Sequence, residues 1–155
     1  MIQIGEKAPD AVLEATGGET VRLSDYFGKN VVLYFYPKDN TPGCTLEAQD
    51  FRDSIGEFEK LNTIVLGVSK DTVKCHEGFQ EKHNLPFQLL SDPEAELQKG
   101  FDVWKPKKMM GKEFLGTVRS TFVLDTTGTV VNEWRSVKVD GHVEAVLQWI
   151  RENLK

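Results

Sequence analysis

The sequence predicts an α/β layered domain built on a mixed central sheet, and three observations carry that expectation. Residues 30–36 and 63–69 are continuous apolar runs rich in β-branched and aromatic side chains, the pattern of strands buried on both faces. Each run is followed by a segment with helical periodicity. Two further strand-like runs near the C-terminus flank Asp125-Thr126-Thr127-Gly128 and lead into a last apolar helical stripe.

Taken in order, Val12–Ala15 and residues 20–23 flank the turn-forming cluster Thr16-Gly17-Gly18-Glu19, so an N-terminal hairpin is expected. Residues 24–29 read as a short helical turn. The strand at 30–36 ends at Pro37. Residues 42–61 read as one helix, with Phe51, Ile55, Phe58 and Leu61 on a single stripe. Thr41-Pro42 is a good start for it, a hydroxyl at the N-cap followed by Pro. The strand at 63–69 follows, then a helix over 72–83 and a short helix over 93–100. Residues 102–116 read as a long loop carrying Trp104, four lysines and two methionines. Residues 120–124 and 129–134 form a hairpin. Val143, Val146, Leu147, Ile150 and Leu154 mark the final helix. A βαβ unit gives parallel strands with a right-handed crossover. The order β-α-β-α, insertion, β-β-α is therefore that of a thioredoxin-like fold with an N-terminal hairpin and an inserted helix and loop.

The 155 residues suit one domain over 1–155. At this length folding buries roughly 70% of the surface that the unfolded chain exposes, so a core forms without disulfides or a structural metal. Apolar residues make up 39% and charged residues 28%, an ordinary globular balance that argues against disorder. The net charge of −5 argues against a nucleic-acid backbone binder. No apolar run approaches the roughly 18 residues of a membrane span. The first residues lack the basic and apolar regions of a signal peptide, and a cytoplasmic location is expected. Lys105-Pro106-Lys107-Lys108 with Lys112 reads as a solvated loop. Trp134 and Trp149 read as core or sheet-face aromatics and Trp104 as the wall of a cleft.

Two cysteines do not make a disulfide scaffold, so each is either a small core residue or a chemical one. Cys44 lies in the first turn of the helix after the first central strand, at the carboxyl end of the sheet where α/β folds bind ligands. Unpaired backbone N–H groups and the positive end of the helix dipole both favour a thiolate there. Gly43 allows a ligand to approach the backbone. Cys-x-x-Cys is absent, since Leu46 and Glu47 follow Thr45, which removes dithiol chemistry. The phosphate loop Cys-x5-Arg is absent, since position 50 is Asp. A Cys-His hydrolase needs a base, and His76, His83 and His142 are all expected at the surface. Cys75, His76 and His83 lack a zinc-ligand spacing, so no metal site is expected.

A thiolate activated by hydrogen-bond donors suits an electrophile that carries its own leaving group, such as a peroxide O–O bond. Thr41 offers a hydroxyl on the same first turn. Arg119 begins the strand 120–124, which should pair antiparallel with 31–36 and so bring the guanidinium beside Pro37 and the Cys44 loop. There it would favour the thiolate and donate to peroxide oxygens.

These residues form a recognisable set. Pro37-x3-Thr41-x2-Cys44 matches the active-site signature of the peroxiredoxins, and residues 35–45 resemble the peroxiredoxin Q subfamily, also called bacterioferritin comigratory protein. Residues 67–71, 85–92, 110–112 and 118–125 agree with it, so the resemblance spans nearly the whole chain. It implies a thiol-dependent peroxidase acting on hydrogen peroxide and organic hydroperoxides, with no cofactor or metal and with thioredoxin or another thiol protein as electron donor. Cys44 would be the peroxidatic cysteine that becomes a sulfenic acid. Thr41 would hydrogen-bond the peroxide, Arg119 would hold the thiolate and transition state, and Pro37 would shield the sulfur.

One departure matters. Many members of the subfamily carry a resolving cysteine five residues after the peroxidatic one, and here that position is Gln49. Some members place it in the following helix, further along than Cys75. Cys75 of the same chain, Cys75 of a second chain, or an external thiol therefore remain as routes for the sulfenic acid. A monomer is expected, with a dimer left open. A redox-sensing or chaperone-like binding protein on the same fold is the rival reading, and intact Thr41 and Arg119 favour catalysis.

Overall fold

The computed structural model describes residues 2–154. The chain runs through β1 (Val12–Ala15), β2 (Glu19–Arg22), a 3-10 turn (Leu23–Tyr26), β3 (Asn30–Phe35), α1 (Pro42–Asp53), α2 (Ile55–Lys60), β4 (Thr63–Ser69) and α3 (Val73–His83). It continues through β5 (Leu89–Ser91), α4 (Glu96–Gly100), β6 (Trp104–Met109), β7 (Lys112–Thr117), β8 (Ser120–Leu124), β9 (Val130–Trp134) and α5 (His142–Asn153). Seven strands form one mixed sheet in the order β2-β1-β5-β4-β3-β8-β9. β3, β4 and β5 are parallel, while β8 lies antiparallel to β3 and β1 antiparallel to β5.

β3 lies between β4 and β8, and all six of its residues are buried. Side chains alternate across a strand, so β3 feeds two cores. Val31, Leu33 and Phe35 pack with Leu66, Phe101 and Phe122. Val32, Tyr34 and Tyr36 pack with Cys44, Phe51, Phe58, Phe79 and the α5 residues Val146 and Ile150. The Tyr34 ring crosses β4 at Gly67, where a Cβ would meet its hydroxyl at 3.0 Å and Leu89 Cδ2 at 2.9 Å. That close approach accounts for a glycine inside a buried strand. Among the described residues, no helix is long and apolar enough to cross a membrane.

Three elements differ from the sequence expectation. The helix over 42–61 is two helices, broken at Ser54 (φ −108°, ψ 5°). Ser54 and Gly56 are weak helix formers placed together, and the Ser54 carbonyl accepts from both Glu57 and Phe58 to restart the turn. β5 was not expected, because three residues are too few to show a period. It joins the N-terminal hairpin to the parallel strands. The loop expected over 102–116 is instead the hairpin β6–β7. Met110 (φ 53°) and Gly111 (φ 79°) both adopt left-handed backbone and make its two-residue turn.

Candidate active site

Cys44 is the third residue of α1 and is 1% exposed. Strand pairing of Phe35 with Ser120 sets the start of β8 beside the end of β3, and Arg119 lies one residue earlier. Its Nη2 donates to Cys44 Sγ at 3.3 Å, and its Nη1 donates to Glu47 Oε1 at 2.7 Å. A Cβ on Gly43 would come within 3.2 Å of Nη2, so the missing side chain leaves room for the guanidinium. Burial works against the Arg119 charge, but Glu47 and Cys44 outweigh it and raise its pKa.

Glu47 was not anticipated from the sequence. Its side chain is fully buried, and its Oε2 has no partner among the described residues. Burial pushes its carboxyl up to about 7, with Arg119 opposing and Asp50 adding to the rise. A buried acid, a guanidinium and a sulfur thus form one chain of contacts.

Thr41 is the N-cap of α1, yet its hydroxyl does not cap the helix. Oγ1 donates to the Lys38 carbonyl at 2.8 Å instead, which leaves its lone pairs to accept from an incoming O–H. Pro37 follows β3 and is exposed. Between them, Asp39 is 3% exposed and accepts at 2.6 Å from the Tyr36 hydroxyl. Its other oxygen lies 2.6 Å from His76 Nδ1.

The histidine expectation is corrected at two positions. His76 is fully buried, sharing the inner face of α3 with Phe79 three residues on, and its Nε2 bonds the Leu90 carbonyl at 3.0 Å. His142 is 6% exposed and lies 2.7 Å from Thr121 Oγ1 through Nε2. Burial, with Arg119 adding, holds the His142 imidazole down at about 4. His83 is half-buried, its Nδ1 3.4 Å from Gln49 Nε2. Trp104 carries the Lys70 ammonium 4.6 Å from its ring centroid.

Both cysteines are free. Cys75 is half-buried in the first turn of α3, where its N–H donates to Thr72 Oγ1 at 3.1 Å. Its thiol faces Asp71 Oδ1 at 3.9 Å. Burial, then Asp39 and Asp71, push the Cys75 thiol up to about 11. One ligand atom each from Asp39, Asp71 and Cys75 would fit around a cation. Both Asp39 oxygens, however, are already engaged by Tyr36 and His76.

A near-buried sulfur touching a guanidinium, with a hydroxyl one turn away, can attack an electrophile whose leaving group is stabilised on the spot. The model of the AhpC/TSA family matches residues 4–133. The chain belongs to that family. Peroxiredoxin Bcp of Bacillus subtilis is 56% identical over 151 residues, covering 97% of this chain and 96% of that protein. The structure of Xanthomonas campestris peroxiredoxin Q superposes with a TM-score of 0.90 at 46% identity, covering 94% of this chain and 92% of the other. A cysteine-to-serine mutant of Xylella fastidiosa PrxQ superposes with a TM-score of 0.94 at 42% identity, covering 100% and 99%.

This peroxiredoxin is a thiol-dependent peroxidase on a thioredoxin-like fold. The rival reading as a sensor or chaperone-like protein is not favoured by these relatives. Family membership implies a peroxide substrate and a thiol reductant. Glu47 and the Asp39–His76 contact, both beside the candidate site, escaped the sequence reading. Glu47 follows Cys44 by three residues, so both share a helix face, and that spacing was the available signal. The Asp39–His76 contact had none, because it joins the loop after β3 to α3, 37 residues on in the sequence.

Proposed function

We propose that Cys44 reduces hydrogen peroxide and small organic hydroperoxides, and that a thiol from outside the chain restores it. The contact of Arg119 Nη2 with Cys44 Sγ at 3.3 Å carries this reading. A guanidinium at that distance stabilises a thiolate and then the charge that develops on the departing oxygen. Thr41 accepts the peroxide O–H and holds the distal oxygen in line. Pro37 covers the sulfur from solvent. Sulfur attacks one peroxide oxygen, the O–O bond breaks, and the leaving oxygen takes a proton to depart as water or an alcohol. Cys44 is left as a sulfenic acid. A reductant thiol then displaces water to form a mixed disulfide, and a second thiol releases Cys44 with the oxidised reductant.

Gln49 in place of a cysteine and the Asp71-bound thiol of Cys75 favour the external route. Thioredoxin or a similar dithiol protein fits as donor. The reading carries a cytoplasmic setting, where dithiol proteins keep cysteines reduced. It also carries a monomer, since one chain supplies Cys44, Thr41, Arg119 and Glu47.

Intact mass after one equivalent of hydrogen peroxide tests it. Wild type and Cys75→Ser should each gain one oxygen, and Cys44→Ser none. Added thiol should return the first two to their starting mass. A loss of two hydrogens in wild type that Cys75→Ser lacks would assign resolution to Cys75 instead. Uptake of oxygen by Cys44→Ser at the wild-type rate would overturn the assignment of Cys44.

A further inference from the structure

Cys75 is the one thiol that this mechanism leaves unused, although it begins a helix, a position that ordinarily favours a thiolate. Its surroundings work the other way. Asp71, in the turn before α3, faces the sulfur through Oδ1 at 3.9 Å. Asp39 brings a second carboxylate from the loop that leads to Cys44. One oxygen from each and the Cys75 sulfur lie within 4.8 Å of one another.

Neither carboxylate is free to turn away. Asp39 is held at 2.6 Å by Tyr36 and at 2.6 Å by His76. His76 is itself fixed, because a carbonyl only accepts and so Nε2 must donate to Leu90. Asp71 Oδ2 takes the Ser69 hydroxyl at 2.6 Å and the Asp39 N–H at 2.8 Å. The Ser91 hydroxyl donates to the Asp71 carbonyl at 2.6 Å. With Nε2 donating to Leu90, the contact of His76 Nδ1 with Asp39 needs one further proton on that pair, which offsets the Asp39 charge. Asp71 is therefore the uncompensated carboxylate turned on the thiol, and Asp39 acts by fixing Asp71 Oδ2 through its N–H; Lys74 is exposed on α3.

We propose that Asp39 and Asp71 are positioning residues for the resolving step: they hold Cys75 as a hydrogen-bond-donating thiol and so reserve the Cys44 sulfenic acid for a thiol from outside the chain. The inference rests on the reading of Cys44 as the peroxidatic cysteine. The internal route would join the Cys75 and Cys44 sulfurs while the sulfenic oxygen leaves as water with the Cys75 proton. The attacking species is the thiolate. Against the Asp71 carboxylate, loss of that proton would place a second negative charge beside the first.

The test is the pH profile of Cys75 alkylation by iodoacetamide in the full-length Cys44→Ser protein, where a single thiol remains. The midpoint is expected above the ordinary thiol value of 9.0. Asp71→Asn added to that background should lower it by about one pH unit or more, and Asp39→Asn by less, because His76 offsets its charge. A variant that merely loosens α3 would raise the plateau rate and leave the midpoint in place, and that result overturns the proposal. So does a midpoint at or below 9.0 before any carboxylate is changed, a reading that needs neither variant to fold. No peroxide enters the measurement, so its failure leaves the peroxidase assignment standing. Failure of that assignment appears separately in the mass experiment.

Discussion

Cys44 and Cys75 occupy matching places. Each is the third residue of a helix that follows a buried parallel strand, and each helix has a threonine N-cap, Thr41 or Thr72. Their surroundings are opposite. Cys44 touches the Arg119 guanidinium, while Cys75 faces Asp71 and Asp39. The threonines differ too. Thr72 accepts from the Cys75 N–H and so caps α3, whereas Thr41 gives its proton to Lys38 and leaves its lone pairs open. A helix start is worth roughly 0.3–1 kcal/mol to a charge at its end. The side chains set beside each sulfur carry full charges of opposite sign, and on the proposed reading they decide which sulfur reacts.

The hardest way to break that comparison is to remove the cation. Arg119→Ala should slow the peroxide reaction of Cys44 by roughly 10²–10³-fold, the scale of losing one preorganised donor. Single-turnover kinetics would measure it. A loss below about tenfold would mean that the helix start alone activates the sulfur.

Glu47 offers a finer probe, because it titrates where the cation is held. Its folded carboxyl stands at about 7 against an ordinary 4.5. Between those values the folded chain keeps a proton that the unfolded chain releases. Its contribution to stability is thus present at low pH and lost as pH rises through about 7. Glu47→Gln cannot lose that proton. The stability of the Gln variant relative to wild type should improve between about pH 5 and 8 by on the order of 1–3 kcal/mol. Urea unfolding at both pH values would read the change, and a constant gap would remove Glu47 from the electrostatics of the Cys44 side.

The smallest effect belongs to the other sulfur. With a small external thiol as reductant, Cys75→Ser should change steady peroxide consumption by less than about twofold. A large fall would make the two cysteines partners rather than contrasting sites.

Much of this was legible in the chain. The runs at 30–36 and 63–69 became β3 and β4, because a strand buried on both faces needs apolar side chains in succession. The antiparallel strand 120–124 carried Arg119 to Cys44 as pairing geometry requires. The misread parts failed for identifiable reasons. A three-residue β5 has no period, the β6–β7 turn depends on left-handed backbone at Met110, and Ser54 breaks a helix whose apolar stripe continues past it. His76 and His142 were misassigned because a polar side chain is tolerated in a core when its partners arrive from distant segments, Asp39 and Leu90 for one and Thr121 for the other.

By itself, then, the sequence determined the layered fold, the helix start beneath Cys44 and the resemblance of residues 35–45 to a peroxidatic loop. These follow from periodicity and from neighbours along the chain. Arg119 was placed by strand pairing, and Glu47 and Asp71 lie within four residues of the thiols they accompany. Only the tertiary structure decided that Asp39 reaches Cys75 and that the buried His76 locks Asp39 in place. Coulomb interactions depend on distance in space, and those distances are set by strand pairing and burial that no local stretch of sequence records.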